Sequence, residues 1–202
     1  MLSLNQNEKK IFSKLNTPRK VQDHLEAIPI NFEKDGETCI SPRRVIAENR
    51  AHCIEGAIFA AAAFMFNGEK PLLMELKSVN RDDDHVLALF RRAGRWGAIS
   101  KTNHAVLRYR EPIYRNIREL AISFFHEYFL DDGKKTMRSY SEPLNLLRFG
   151  TKWVTANENL WYIAEALDDS CHKDIMTRSQ ISSLRSADPI EIKAGKLTMW
   201  QR

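Results

Sequence analysis

A cysteine at the start of an apolar stretch is the residue best placed for chemistry. Residues 53–66 are apolar almost all round, which in a globular protein predicts a helix buried in the domain centre. Cys53 would lie in its first turn, where unpaired N–H groups and the helix dipole favour a thiolate. The same N–H groups can stabilise an oxyanion. We therefore expect Cys53 to be a nucleophile, although a cysteine in an alanine-rich helix is more often a core residue.

A nucleophilic thiol needs a base, and His85 is the best candidate. It follows Asp82, Asp83 and Asp84 at the expected start of a strand, where a loop-to-strand junction could present its ring to the Cys53 helix. A third group should then orient the imidazole. The three aspartates with His85 lack the spacing of a calcium loop, so the sequence predicts no metal site there.

The elements around these residues alternate between helix and strand signals. Capping residues followed by proline predict two short helices, from Asn16-Thr17-Pro18 to Pro29 and from Ser41-Pro42 to about Glu48. Four short apolar runs after the Cys53 helix predict consecutive antiparallel strands, with a hairpin turn at Ala93-Gly94: 71–76, 86–90, 96–99 and 106–109. A central buried helix packed on an antiparallel sheet is an α+β fold.

The second half of the chain carries weaker signals. Residues 113–129 predict an amphipathic helix, 131–143 a polar loop, 158–167 a further helix and 189–200 a terminal hairpin around Ala194-Gly195. We expect one domain spanning 1–202, in which 144–202 forms a C-terminal extension without a role defined by the sequence.

The spacing of the candidate residues resembles that of transglutaminase-like domains, a branch of the papain-type cysteine enzymes. In that family the cysteine begins a buried helix and an alanine follows four residues on, as Cys53 and Ala57 do here. A histidine at the head of a strand is then followed by a glycine and a tryptophan, which His85, Gly94 and Trp96 match in order. The resemblance covers 41–103 and implies a papain/transglutaminase-like core.

The third catalytic position departs from the family pattern. Ser100 stands four residues after Trp96, where the family has an aspartate. A serine could accept a hydrogen bond from the imidazole, and Asn103 could act as the asparagine does in papain-like enzymes. Asp83 or Asp84 could substitute only if the chain folded back.

The resemblance implies a cysteine-dependent hydrolase or acyltransferase. Its thiolate would attack an amide or peptide bond of a peptide or small amide substrate, through a Cys53-His85 pair, and this chemistry needs no cofactor. The serine at 100 motivates an alternative, a catalytically inactive transglutaminase-like module that binds a ligand or partner instead.

A basic segment, 91–118, supplies the ligand chemistry for that alternative. It holds eight Lys or Arg residues against the single acid Glu111, a net charge of +7 within a chain of formal charge +5. A solvated face is the simplest interpretation, and an anionic ligand or partner is the functional one. Because no RNA-binding or zinc-finger signature accompanies it, we expect no nucleic-acid partner.

Composition limits where such a protein would work. The N-terminus has no apolar stretch of signal-peptide length, and the most apolar run, 58–66, is too short to span a bilayer. The three cysteines, Cys39, Cys53 and Cys171, cannot all pair and have no zinc-site spacing. We therefore expect a cytoplasmic protein with free thiols and no membrane partner.

Overall fold

The computed structural model describes residues 2–201. Its α-helices in chain order are α1 (Gln6–Lys14), α2 (Pro18–Ala27), α3 (Pro42–Glu48), α4 (Cys53–Phe66), α5 (Ile117–Ile122), α6 (Trp161–Asp168), α7 (Arg178–Ser182) and α8 (Pro189–Gly195). Its strands are β1 (Leu72–Lys77), β2 (His85–Arg92), β3 (Arg95–Ile99), β4 (Arg110–Tyr114), β5 (Ser139–Ser141), β6 (Leu144–Asn145) and β7 (His172–Asp174). Short 3-10 turns cover 125–127, 146–149 and 152–154.

The strands form one antiparallel sheet around which the molecule is layered. Their order is β4-β3-β2-β1-β5-β7, and β6 pairs with β1 beside β5. Because side chains alternate along a strand, β2 sends Val86 and Ala88 into the core around α4, and Leu87 and Leu89 into a second core that contains Phe124. The α+β class is therefore confirmed.

Helix α4 is the centre of the larger core. Its side chains from Ile54 to Phe64 are buried on every face, as its apolar composition predicts. Gly56 lets the chain after β3 approach this helix closely, since an added Cβ there would lie 2.5 Å from Lys101 Cβ. This contact ties the residues that follow β3 to the start of α4.

The two capped helix starts are confirmed. Thr17 and Ser41 each accept a hydrogen bond from a first-turn backbone N–H, and a proline follows each of them. The three strands β1, β2 and β3 also lie where the apolar runs predict them. In the turn between β2 and β3, Ala93 and Gly94 both have positive φ, as a tight hairpin requires.

The helix predicted over 113–129 is wrong. Residues 110–114 form the edge strand β4, whose Pro112 can occupy an edge position because it has no N–H to donate. A helix begins only after Asn116, whose side chain accepts from the Glu119 N–H, and it is short. The strand predicted at 106–109 is likewise wrong, because pairing with β3 starts further along, at Arg110.

The terminal hairpin predicted over 189–200 is also wrong. Asp188 and Glu191 form a capping box that starts helix α8, and the chain after this helix forms a bridge between Thr198 and His104. The predicted loop at 131–143 contains β5, and the sequence signals do not predict α1 or β7. Strands β5 and β7 are too short for an alternating apolar pattern to reveal them.

Residues after 144 contribute to the same cores. Ile163 and Leu167 of α6 pack in the cluster that contains α4, while β7 extends the sheet beyond β5. Within 2–201, no helix combines the length and the apolar character needed to cross a bilayer.

Candidate active site

Cys53 and His85 border the same cavity, of about 740 Å³. Cys53 is the first residue of α4 and is partly exposed, and His85 is the buried first residue of β2. The other walls come from the loop before β2, the segment after β3, the turn around Tyr128 and the chain near Gly195. The structure therefore brings together the nucleophile and the base predicted from sequence.

The chain before α4 is fixed by backbone pairing. Ala51 donates to the Pro29 carbonyl at 3.2 Å and accepts from the Asn31 N–H at 3.1 Å. Glu55 then accepts from the His52 N–H at 3.0 Å, which sets the first turn of the helix. This short connection places the Cys53 side chain at the cavity rather than in the core.

Ser100 is the partner of His85. The Ser100 Oγ lies 2.7 Å from the His85 Nε2 and also donates to the Leu107 carbonyl. A hydroxyl has one proton, so Oγ must accept from the Nε2–H of the ring. The neutral imidazole then carries its proton on Nε2, which leaves Nδ1 free to take a proton from a thiol.

Two histidines set the ionisation of the thiol. Burial raises the pKa of Cys53, but the neighbouring His52 and His85 rings lower that pKa to about 5. The His52 Nδ1 lies 3.9 Å from the Cys53 Sγ. At neutral pH the sulfur is therefore a thiolate, the form that attacks acyl carbons.

His52 is the residue that sequence reasoning missed. Its residue type and neighbours indicate a surface or hydrogen-bonded histidine, and its Nε2 does bond to the Thr38 carbonyl at 2.9 Å. The same nitrogen lies 3.4 Å from carboxylate oxygens of both Glu33 and Glu55. The available signal was a glutamate inside an otherwise apolar helix, since a buried carboxylate requires partners.

Asn103 lines the same cavity, but its amide is bonded to Trp200 and not to His85. Its amide donates to the Trp200 carbonyl at 3.0 Å and accepts from the Trp200 N–H at 2.8 Å. These bonds hold the C-terminal segment against the cavity wall. The Asp84 carboxylate does not orient His85 either, because it accepts from the Ser78 N–H at 2.7 Å and pairs with Lys77 at 2.9 Å. The group that contacts the His85 ring is thus Ser100.

One acidic cluster among residues 2–201 has the spacing of a metal site. Oxygens of Glu75, Asp84 and Asp168 lie within 4.8 Å of one another. The Lys77 ammonium sits among them, 2.9 Å from Asp84 and 3.5 Å from Glu75, and also pairs with Asp168. Burial lowers the pKa of Lys77, but these carboxylates raise it by more, so the net shift of the pKa is upward. The cluster is therefore a network of ion pairs around Lys77.

Half of the basic residues in the segment 91–118 are paired with carboxylates within the chain. Four of its arginines form ion pairs with carboxylates, as Arg92–Glu69, Arg108–Glu26, Arg110–Glu127 and Arg115–Glu119. Lys101 is buried and donates to the carbonyls of Leu25 and Ile28. Ion pairing and burial thus account for five of the eight positive charges counted in the sequence, which leaves three for an anionic partner.

Neither a model of a known protein family nor a curated protein sequence matches this chain. The geometry around Cys53 is therefore the ground on which a function is proposed.

Proposed function

We propose that the protein is a cysteine-dependent acyl-transfer enzyme, a hydrolase or transferase that acts on an amide or peptide bond. We further propose that its α+β core is of the papain/transglutaminase type. The observation that carries both is the Cys53 thiol, which opens a buried helix, shares a cavity with His85 and has its pKa lowered by that ring. Ser100 stands behind the ring, where the family has an aspartate.

The chemistry follows from these positions. With the thiol proton transferred to His85 Nδ1, the Cys53 thiolate attacks the carbonyl carbon, a carbon–sulfur bond forms, and the carbonyl electrons move to oxygen. First-turn N–H groups of α4 are the donors suited to that oxyanion. The tetrahedral intermediate then expels the amine, which takes a proton from His85, and a thioester remains.

The second half reverses these roles. Water or an amine attacks the thioester while His85 Nδ1 takes the proton of the attacking group. The carbon–sulfur bond breaks, and the Cys53 thiolate returns as the acid or the new amide is released. We propose a peptide or small amide as the substrate and the cytoplasm, where free thiols persist, as the setting.

Ser100 orients the ring of His85 but has no negative charge to stabilise an imidazolium. A neutral hydroxyl fixes the Nε2–H tautomer, but it stabilises an imidazolium less than a carboxylate would. The inactive binding module remains the alternative, and the internal pairing of the basic segment gives it little support.

Acylation by a small activated ester tests the enzyme. Incubation with p-nitrophenyl acetate should give a single acetylated peptide containing Cys53, detected by mass spectrometry, together with continued ester turnover. Cys53→Ser should abolish the adduct, and His85→Gln should slow its hydrolysis strongly. Ser100→Ala should slow turnover about tenfold, since general acid–base groups contribute about 100-fold or more and this variant disorders the base rather than removing it.

The matched control is His126→Gln, which changes a histidine that does not line the cavity. It should behave as the unaltered chain. Equal, slow acetylation of the three cysteines, unchanged by His85→Gln, would sink the proposal and leave Cys53 a structural residue.

A further inference from the structure

Glu55 is a carboxylate held fully inside the protein. Its oxygens accept from the Thr38 hydroxyl at 2.7 Å, the Ile40 N–H at 3.0 Å and the Asn31 amide at 3.1 Å. The His52 N–H adds a fourth donor at 3.0 Å. Four donors and no acceptor suit an ionised carboxylate, because a protonated one would need an acceptor of its own. A negative charge is therefore buried at the start of α4.

A nearby cation stabilises such a charge further, and the His52 ring is the group placed to supply it. Among residues 2–201, the ion pair of Glu55 is with the His52 ring, at 3.4 Å, and neither Lys nor Arg lies within 4.0 Å of it. Glu33 faces the same ring nitrogen at 3.4 Å. The Nε2 must carry a proton because it bonds to a carbonyl, which only accepts. Two carboxylates beside the ring favour its cationic form, in which Nδ1 carries a proton as well.

The Nδ1 of this ring faces the nucleophile, 3.9 Å from the Cys53 Sγ. We propose that His52 and Glu55 form a buried ion pair that holds Cys53 as a thiolate, so that His85 is left to move protons. This division of labour rests on the proposed function and identifies His52 as a positioning residue beyond the predicted set. It also explains how a site with Ser100 in place of a carboxylate can keep a charged nucleophile.

The ionisation of the groups around the ring agrees with this arrangement. Burial lowers the pKa of His52, but hydrogen bonds and charge from Cys53 and Glu55 raise it to about 11. Burial raises the pKa of Glu55, yet its bonds, above all with His52, lower it to about 2. Between the Cys53 pKa of about 5 and the His52 pKa of about 11, the carboxylate, the imidazolium and the thiolate coexist.

The pH profile of Cys53 alkylation tests the proposal. Iodoacetamide labelling of the full chain would be followed by peptide mass spectrometry from pH 4 to pH 9. The unaltered protein should show a midpoint near pH 5, where the Cys53 pKa lies. His52→Gln, which can still bond to the Thr38 carbonyl, should raise the midpoint by about two units and cut labelling at pH 6 about tenfold, as expected for a thiolate fraction.

Two further variants separate this proposal from the proposed function. Glu55→Gln should raise the midpoint in the same direction, whereas His104→Gln, a histidine at the cavity bonded to the Gly195 carbonyl, should not. An unchanged midpoint in His52→Gln with a raised one in His85→Gln would overturn the role of His52 and leave the enzyme standing. A midpoint at the ordinary thiol value in the unaltered chain would overturn both.

A direct measurement of His52 protonation keeps the proposal testable if His52→Gln or Glu55→Gln fails to fold. In Cys53→Ser, nuclear magnetic resonance should find the His52 imidazole still protonated well above the usual histidine range, because Glu55 remains. Titration of His52 near its ordinary value in that variant would overturn the ion pair.

Discussion

The thiols of Cys39 and Cys53 lie near the same buried carboxylate, Glu55, but their pKa values are shifted in opposite directions. Cys39 lies in the extended segment before α3 and is fully buried, and its Sγ bonds to the Leu160 carbonyl at 3.7 Å. Burial, with the negative charge of Glu55, raises the pKa of Cys39 to about 12. Burial also raises the pKa of Cys53, but the rings of His52 and His85 lower it to about 5.

The difference shows that burial alone does not decide the pKa of a thiol here. Desolvation acts in the same direction on both sulfurs, so the sign of the nearest charge separates them. The charge of Glu55 raises the pKa of Cys39, whereas His52 lies between Glu55 and the sulfur of Cys53. The cavity then gives Cys53 access to a reagent, which Cys39 lacks.

Relative alkylation of the two thiols should show the largest effect. With pKa values of about 5 and about 12, the thiolate fractions at pH 7 differ by about 10⁵. The lower intrinsic nucleophilicity of a low-pKa thiolate offsets about three powers of ten of this. Iodoacetamide at pH 7 should therefore modify Cys53 at least about 100-fold faster than Cys39, by peptide mass spectrometry.

The variants Cys39→Ser and Cys53→Ser provide the controls for this ratio. Cys39→Ser should leave the fast labelling phase intact, and Cys53→Ser should remove it. Exposed Cys171 serves as the solvent-accessible reference. A Cys53 that labels no faster than Cys171 at pH 6 would contradict the contrast.

The fold was predictable where local signals agreed with each other. Thr17-Pro18 and Ser41-Pro42 give helix starts by capping chemistry, and the apolar circumference of 53–66 gives a buried helix. The signals failed at 113–129, because an apolar spacing that suits a helix also suits an edge strand followed by a short helix. Tertiary pairing with β3 decided that region.

The site was predictable only in part, for a similar reason. Cys53 and His85 could be named from residue types and spacing, and Ser100 from its offset to Trp96. His52 and Glu55 could not, because their role depends on Thr38 and Glu33, which long-range packing brings to the start of α4. A charged residue in an apolar helix indicates that partners exist but not which they are.

Replacing Glu55 should reduce the difference between the pKa values of Cys39 and Cys53. Because the pKa of Glu55 falls from 4.5 unfolded to about 2 folded, its stabilisation is present above about pH 4.5 and is lost as pH falls toward 2. Glu55→Gln should lack this dependence. Its free energy of unfolding at pH 7 should be roughly 3 kcal/mol lower than that of the unaltered protein. In the same variant the pKa of Cys39 should fall and that of Cys53 should rise.

Urea denaturation at pH 7 and at pH 3, followed by circular dichroism, measures this change. Glu26→Gln is the matched control, since that carboxylate pairs with Arg108 away from the cysteines. A loss of stability in Glu55→Gln that is equal at both pH values would show that the effect is packing and not charge.

The smallest expected effect comes from one donor to the carboxylate. Thr38→Val removes the hydroxyl that donates to Glu55 at 2.7 Å but keeps the backbone carbonyl that accepts from His52 at 2.9 Å. One hydrogen bond to a charged group contributes about 1.5 to 3 kcal/mol, of which the remaining donors recover a part, so we expect a loss of about 1 kcal/mol at pH 7. Thr38→Ser should retain most of the stability. The loss should shrink at pH 3, because Glu55 is then closer to protonation, and a pH-independent loss would mean that Thr38 stabilises the loop and not the charge that separates the two thiols.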